Sequence, residues 1–271
     1  MGWWGKLIGG AFGFMLGGPL GALLGAALGH NLDRGLGRLA EEGTLEPEDR
    51  ERVQTAFFTA TFSVMGHLAK VDGRVSEREI ALAESLMSRM DLSSELRHTA
   101  IRLFNEGKAP RFPLDEVVRQ FAYECHRRQD LIRIFLEIQI QAALVDGRLT
   151  SREEQLLSRI CRHLGVSETA FRLLERMVRA ALGLGEKAGA EEPERGARTG
   201  EMSLADAYAI LNLSPEASDE EVKRAYRRLR SQHHPDKLVS RGLPEEMMKL
   251  AAQKSHEIRS AYERIRSDRG F

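Results

Sequence analysis

The feature that most constrains this chain is an uncharged segment near its N terminus. Residues 8–29 contain no Asp, Glu, Lys or Arg. Because a helix rises about 1.5 Å per residue, this length is enough to cross a hydrocarbon core of roughly 30 Å. A cleaved signal peptide is the competing interpretation, but its apolar region usually has only about 7 to 15 residues. The sequence therefore predicts a retained transmembrane anchor over residues 1–34, with its helix at about 7–29.

Glycine recurs at every fourth position of this anchor, from Gly5 to Gly29. On a helix this spacing makes one face without side chains, where a second backbone can approach closely. The alternative is a membrane helix that merely tolerates glycine, which is common in such helices; Pro19 would also kink it. We expect homodimerisation through the stripe. The glycines expected to form the contact are Gly9, Gly13, Gly17, Gly21 and Gly25.

Basic residues flank the anchor mainly on its C-terminal side. Arg34 and Arg38 lie there, whereas the N-terminal side offers only Lys6 and the terminal amine. Lys and Arg are enriched in cytoplasmic flanks. We therefore expect one membrane pass with the rest of the chain in the cytoplasm.

The middle of the chain contains a duplicated stretch. Residues 69–79 and 143–153 align at one offset, which places Asp72-Gly73 over Asp146-Gly147. In each copy the glycine is suited to end a helix in a left-handed conformation. Each is followed by a capping-box pattern that opens the next helix. The two boxes are Ser76 with Glu79 and Thr150 with Glu153.

A metal loop is the functional alternative for these two turns. Neither stretch has the D-x-[DN]-x-[DN]-G-x5-E spacing of a calcium-binding loop, and one carboxylate per turn is too few for calcium. We therefore interpret Asp72 and Asp146 as turn residues and expect no metal.

Apolar residues at helical spacing before each Asp-Gly turn predict a buried core. They are Phe58, Phe62, Met65, Leu68 and Ala69, and Leu131, Phe135, Ile138, Ala142 and Val145. With the two Asp-Gly turns, residues 55–182 resemble the TerB-like helical domain of tellurite-resistance proteins. The resemblance implies an interaction or assembly module, whose client is unknown.

Composition excludes several other classes of protein. Lys plus Arg and Asp plus Glu are both 40, so no overall charge favours nucleic acid as a partner. The only cysteines, Cys125 and Cys161, form no CxxC pair, which excludes a multi-cysteine zinc module and a disulfide framework. Long segments lack the β-branched alternation of strands. The sequence predicts an all-α protein with buried thiols.

Residues 183–201 are rich in Gly, Ala, Glu and Arg and nearly devoid of apolar side chains, which predicts a flexible linker. Helical patterning resumes over residues 203–271. Ser218 and Glu221 open a helix that must end near Pro235, because proline removes an N–H and restricts the preceding residue. Its exposed face is basic: Lys223, Arg224, Arg227 and Arg228.

This C-terminal region resembles the J-domain family. The resemblance is carried, in order, by residues 207–211, 222–229, His234-Pro235-Asp236-Lys237 and 257–263. It implies a helical hairpin whose basic helix docks on a DnaK-type chaperone. It also implies that Asp236 engages the chaperone's basic residues, that Pro235 fixes the loop and that His234 orients it. An anchor, a TerB-like domain and a J-domain together resemble J-proteins of the bacterial inner membrane.

Two other interpretations of these C-terminal residues remain. The basic run can be an ordinary solvated helix face. His234 and Asp236 can suggest an acid–base pair, but no nucleophile or third ligand accompanies them locally. We therefore expect a regulatory co-chaperone with no cofactor or catalytic residue. The alternative is a membrane scaffold whose J-domain only recruits DnaK.

Overall fold

A computed structural model describes residues 18–23, 47–73, 75–90, 92–125, 128–184, 202–244 and 247–271. Within these ranges every regular element is helical, which confirms the all-α prediction. Most of the predicted transmembrane helix, and residues 185–201 of the predicted linker, lie outside the described ranges.

The described helices are numbered α1 to α12 in chain order. The first eight are α1 (residues 18–23), α2 (Pro47–Lys70), α3 (Glu77–Arg89), α4 (Ser94–Gly107), α5 (Leu114–Glu124), α6 (Gln129–Ala143), α7 (Ser151–His163) and α8 (Glu168–Ala181). The last four are α9 (Leu204–Leu211), α10 (Asp219–Gln232), α11 (Pro235–Ser240) and α12 (Met248–Arg269).

Helix α2 lies at the centre of the first eight helices and packs against α4, α5 and α6. Its Phe57 is fully buried, and the ring of Phe121 lies 5.9 Å from it and 4.6 Å from the ring of Phe135. Burying each such side chain contributes about 1.5–3 kcal/mol, so these aromatic contacts hold α2, α5 and α6 together. The predicted core residues are buried, except that Val145 is half-buried and Leu144 takes the inner position.

The duplicated turns form as predicted. Gly73 and Gly147 have positive φ values of 97° and 87°, and both capping boxes are present at the starts of α3 and α7. Arg78, just after the first turn, lies 3.5 Å from Asp146 in the second. The two copies therefore meet at their Asp-Gly turns.

The described part of the glycine-rich segment, α1, contacts α5. Leu20 is buried, and its backbone N–H donates to Oε1 of Gln120 at 2.8 Å. None of the described helices is both long and apolar enough to cross a membrane.

Helices α10 and α12 form an antiparallel hairpin. The rings of Tyr226 and Tyr262 stack at 4.2 Å, and Asp219 at the start of α10 meets Arg269 at the end of α12 at 3.0 Å. Helix α9 packs across the pair through Ile210 and Leu211, which are fully buried. The hairpin presents the turn between α10 and α11 at one end.

Candidate functional site

The turn between α10 and α11 carries the predicted loop residues His234, Pro235 and Asp236, here called the HPD loop. Helix α10 ends at Gln232, and Pro235 occupies the first turn of α11, where its missing N–H costs no helical hydrogen bond. His234 is extended (φ −68°, ψ 122°), as the residue before a proline prefers. Proline chemistry therefore sets the shape of the loop.

The side chains of the loop face outward. His234 is 47% exposed and Asp236 86% exposed, and Nδ1 of His234 lies 4.0 Å from Oδ2 of Asp236. Nζ of Lys237 donates to Oγ of Ser231 at 3.2 Å, which ties the loop back to α10. An exposed carboxylate on a short, restrained turn is suited to contact with a basic partner surface.

The predicted basic residues lie on the outer side of α10, opposite the buried Val222, Ala225 and Leu229. Arg224, Arg227 and Arg228 are exposed. Lys223 is half-buried, 3.5 Å from Glu220 and 5.0 Å from the centre of the Phe271 ring. The helix thus places these three of its four arginines and the HPD loop on one exposed surface, with Lys223 at its edge.

An open groove between α10 and α12 borders this surface, and sequence reasoning did not assign it. His234 and Pro235 line its end, and the other lining residues include Tyr226, Arg230, Arg259 and Tyr262. Tyr226 and Tyr262 lie within residues 222–229 and 257–263, two of the stretches that carry the J-domain resemblance, and no role was assigned to either ring. Antiparallel pairing of the helices, which a linear pattern does not specify in register, brings them beside the loop.

The other predicted sites are less fully described. Of the five glycines assigned to dimerisation, Gly21 lies in α1, and Gly9, Gly13, Gly17 and Gly25 lie outside the described residues. In the part of the chain that the structure describes, no group of three or more His, Cys, Asp or Glu side chains could hold a metal ion.

Three families match successive parts of the chain. They are described as "Co-chaperone DjlA transmembrane domain" over residues 1–39, "Tellurite resistance protein TerB" over 58–176 and "DnaJ domain" over 206–269. The last of these contains α10, the HPD loop and nearly all of α12.

Relatives of the chain align with it over most of their length. Co-chaperone protein DjlA of Photobacterium profundum is 44% identical over 99% of both chains. The proteins of that name from Coxiella burnetii and Escherichia coli K12 are each 45% identical, over 81% and 82% of this chain and 80% and 82% of their own. No solved structure matches. The chain therefore belongs to the DjlA family of membrane-anchored bacterial J-domain co-chaperones.

Proposed function

We propose that this chain stimulates ATP hydrolysis by a DnaK-type chaperone through the HPD loop and the basic face of α10 (Lys223, Arg224, Arg227 and Arg228). The observation that carries the proposal is the exposed Asp236, held on a proline-shaped turn beside three exposed arginines. The arginines steer encounter with an acidic surface, and the carboxylate makes the contact that triggers hydrolysis. Lys237 follows the loop and supports it through Ser231.

The reaction itself belongs to the chaperone. Both His234 and Asp236 are exposed, whereas the burial and close neighbours that tune catalytic groups come with enclosed sites. The chain accordingly acts as a regulator and contributes no catalytic residue or cofactor.

The deciding experiment is single-turnover ATP hydrolysis by DnaK, with and without the chain. Wild-type chain should accelerate hydrolysis, and His234→Gln and Asp236→Asn should not. A scaffold that only recruits DnaK would bind it without changing the hydrolysis rate. Equal rates with and without wild-type chain would overturn the proposal.

The anchor places this activity at the cytoplasmic face of the bacterial inner membrane. The match of residues 1–39 to the DjlA transmembrane domain supports one pass, and the flanking arginines support a periplasmic N terminus. The TerB-like domain then stands between the bilayer and the J-domain, where a client protein would bind.

Dimerisation through the glycine stripe would pair two J-domains at the membrane. Glycine lets two helix backbones meet, so leucine at Gly13, Gly17 and Gly21 should weaken self-association without preventing insertion. Energy transfer between labelled copies in membranes measures this. Transfer equal to wild type would exclude the stripe as the contact.

A further inference from the structure

The HPD loop is held from its N-terminal side by α6 of the TerB-like domain. Nη1 of Arg133 donates to Oε1 of Gln232 at 3.0 Å. The next residue, His233, is only 1% exposed, and its Nε2 lies 3.7 Å from Oε1 of Glu137. Neither ring nitrogen of His233 has a hydrogen-bond partner, so the ring occupies a closed space against α6. The residue that immediately precedes the loop is therefore clamped by another domain.

The loop is also held from its C-terminal side. Arg241, just after α11, forms an ion pair with Asp130 at the start of α6. Leu238, two residues after Asp236, is fully buried in the apolar cluster that contains the core of the bundle. The loop thus lies between two anchoring points on one helix.

The partners on α6 form one stripe. Asp130, Arg133 and Glu137 are separated by three and four residues, the spacing that aligns side chains along one helix face. This stripe (Asp130, Arg133 and Glu137) faces the J-domain along its whole length.

The centre of the contact is a buried cluster of charges. Glu137 is 9% exposed, with Nε of Arg133 at 3.2 Å and Nζ of Lys254 from α12 at 3.8 Å. Burial raises the pKa of Glu137, but His233 when protonated, Lys254 and Arg133 outweigh it and lower the pKa below its ordinary value. Burial lowers the pKa of His233 to about 4, so at neutral pH the ring is uncharged, and Arg133 and Lys254 are the cations that lie beside the Glu137 carboxylate.

Apolar packing extends the contact on both sides. Met177 and Ala180 of α8 belong to the same buried cluster as Tyr208 of α9, and Leu243 belongs to the cluster of the bundle. Burial of this kind is the main favourable contribution to most protein contacts. The two domains therefore share apolar core as well as charges.

We propose that the TerB-like domain is a docking platform, and that the α6 stripe positions the HPD loop of the same chain for its chaperone. This inference rests on the proposed function. Docking leaves the chaperone-facing surface open, since Asp236 is 86% exposed and Arg224, Arg227 and Arg228 are exposed. The platform therefore presents the loop and does not mask it. Fixing the loop before encounter reduces the ordering that binding must impose.

The first test measures whether the domains are docked in the intact chain. Spin labels at Arg97→Cys in α4 and Ser267→Cys in α12, both exposed positions, report the distance between the domains. We expect one narrow distance distribution for the otherwise unaltered chain in membranes. A distribution as broad as that of a freely tethered domain would overturn the proposal.

A charge exchange tests whether the stripe causes the docking. Asp130→Arg places two arginines together at a partly exposed position, so the bundle should fold but the distribution should broaden. Arg241→Asp should do the same, and the double variant Asp130→Arg with Arg241→Asp should restore the narrow distribution. Restoration is specific to the pair, because two independent defects would add. Failure of the double variant to recover would refute the role of the pair.

Glu137→Gln tests the centre of the contact, and Glu175→Gln is its matched control. Both glutamates are 9% exposed and each pairs with an arginine one turn away, but the ion pairs of Glu175 with Arg172 and Arg179 lie within α8. We expect Glu137→Gln to broaden the distribution and Glu175→Gln to leave it narrow. Circular dichroism and a cooperative thermal transition establish that both variants fold.

Stimulation of DnaK then separates positioning from direct contact. For Glu137→Gln and Asp130→Arg, we expect the chain concentration for half-maximal stimulation to rise on the order of tenfold, with the maximal rate retained. Asp236→Asn should instead lower the maximal rate. If Asp236→Asn is inactive but the α6 variants match wild type, the docking proposal fails and the proposed function stands. If Asp236→Asn stimulates normally, the proposed function itself fails.

Discussion

The basic face and the HPD loop should be separable by mutation. Arg227 and Arg228 are exposed, so Arg227→Ala with Arg228→Ala removes two charges that act mainly before contact. Exposed charge pairs are worth about 0.2–1 kcal/mol each. The loss of two such pairs predicts that DnaK affinity falls roughly 2- to 30-fold at low salt.

Added salt should reduce the difference in DnaK affinity between this double variant and the wild type. The Debye length falls from about 10 Å at 0.1 M to about 3 Å at 1 M, so screening weakens the attraction that the arginines provide. Raising the concentration of the double variant should also recover stimulation, because only encounter and affinity have changed. Alanine is a strong helix former, so α10 should remain intact.

Asp236→Asn should behave differently. The carboxylate is 86% exposed and its Oδ2 lies 4.0 Å from Nδ1 of His234, too far for a hydrogen bond, so the substitution should leave stability within about 0.5 kcal/mol of wild type. In the complex, however, it removes the charge that meets the chaperone's basic residues. Because this contact triggers hydrolysis, losing one partner of the desolvated pair, at a cost of about 2–5 kcal/mol, should lower the maximal hydrolysis rate roughly 30-fold or more. Neither concentration nor salt should restore the rate.

Single-turnover ATP hydrolysis by DnaK, measured across chain concentration at two ionic strengths, distinguishes these outcomes. The matched control is Arg97→Ala with Arg152→Ala, which removes the same charge from exposed positions on the bundle. The reasoning is refuted if folded Asp236→Asn accelerates hydrolysis like wild type. It is also refuted if the α10 double variant and the bundle control respond identically to salt.

Three further predictions concern the bundle and the anchor. A methyl group added at Gly66 would lie 1.9 Å from the backbone oxygen of Phe104. Gly66→Ala should therefore lower the free energy of unfolding, measured in urea, by at least about 1–3 kcal/mol. A smaller loss would mean that α2 and α4 can separate freely. Burial raises the pKa of Cys125 and Cys161 to about 12. Alkylation of these thiols at pH 8, followed by mass spectrometry, should therefore require unfolding, and the stability of the fold should decrease as the pH rises above about 9. Rapid labelling of the folded chain would contradict this. A C-terminal alkaline phosphatase fusion should be inactive and a fluorescent protein fusion bright, and the reverse would refute the cytoplasmic orientation.

Local signals in the sequence predicted several of the helix boundaries. The capping boxes at Ser76, Thr150 and Ser218 all form, because a hydroxyl and a glutamate three residues later need only their own helix end. The Asp-Gly turns form for the same reason. The shape of the HPD loop follows from Pro235 and its neighbours. Each of these features depends on residues close together in the chain.

Contacts between distant segments could not be predicted in this way. In the sequence, His233 precedes the HPD loop at the predicted end of a helix, where a histidine is favoured by the helix dipole. The structure confirms that position but also buries its ring against α6, about one hundred residues earlier in the chain. Arg133 and Glu137, four residues apart, resemble an ordinary solvated ion pair. A polar linker between domains likewise gives no sign that α8 and α9 share apolar contacts.

The buried charges between α6 and the J-domain do more to orient the J-domain than to strengthen its docking. Apolar side chains of similar volume often stabilise a buried contact as well as an ion cluster does, because desolvation offsets much of the attraction between charges. An apolar surface, however, tolerates sliding, whereas Glu137 is compensated only where Arg133 and Lys254 both reach it. A displacement of the J-domain by a few ångströms would remove Lys254 and leave the buried Glu137 paired with Arg133 of its own helix alone. The charged cluster therefore favours one docked orientation of the α10–α12 hairpin. Because the HPD loop begins directly after His233, the same contact also sets the direction in which the loop points.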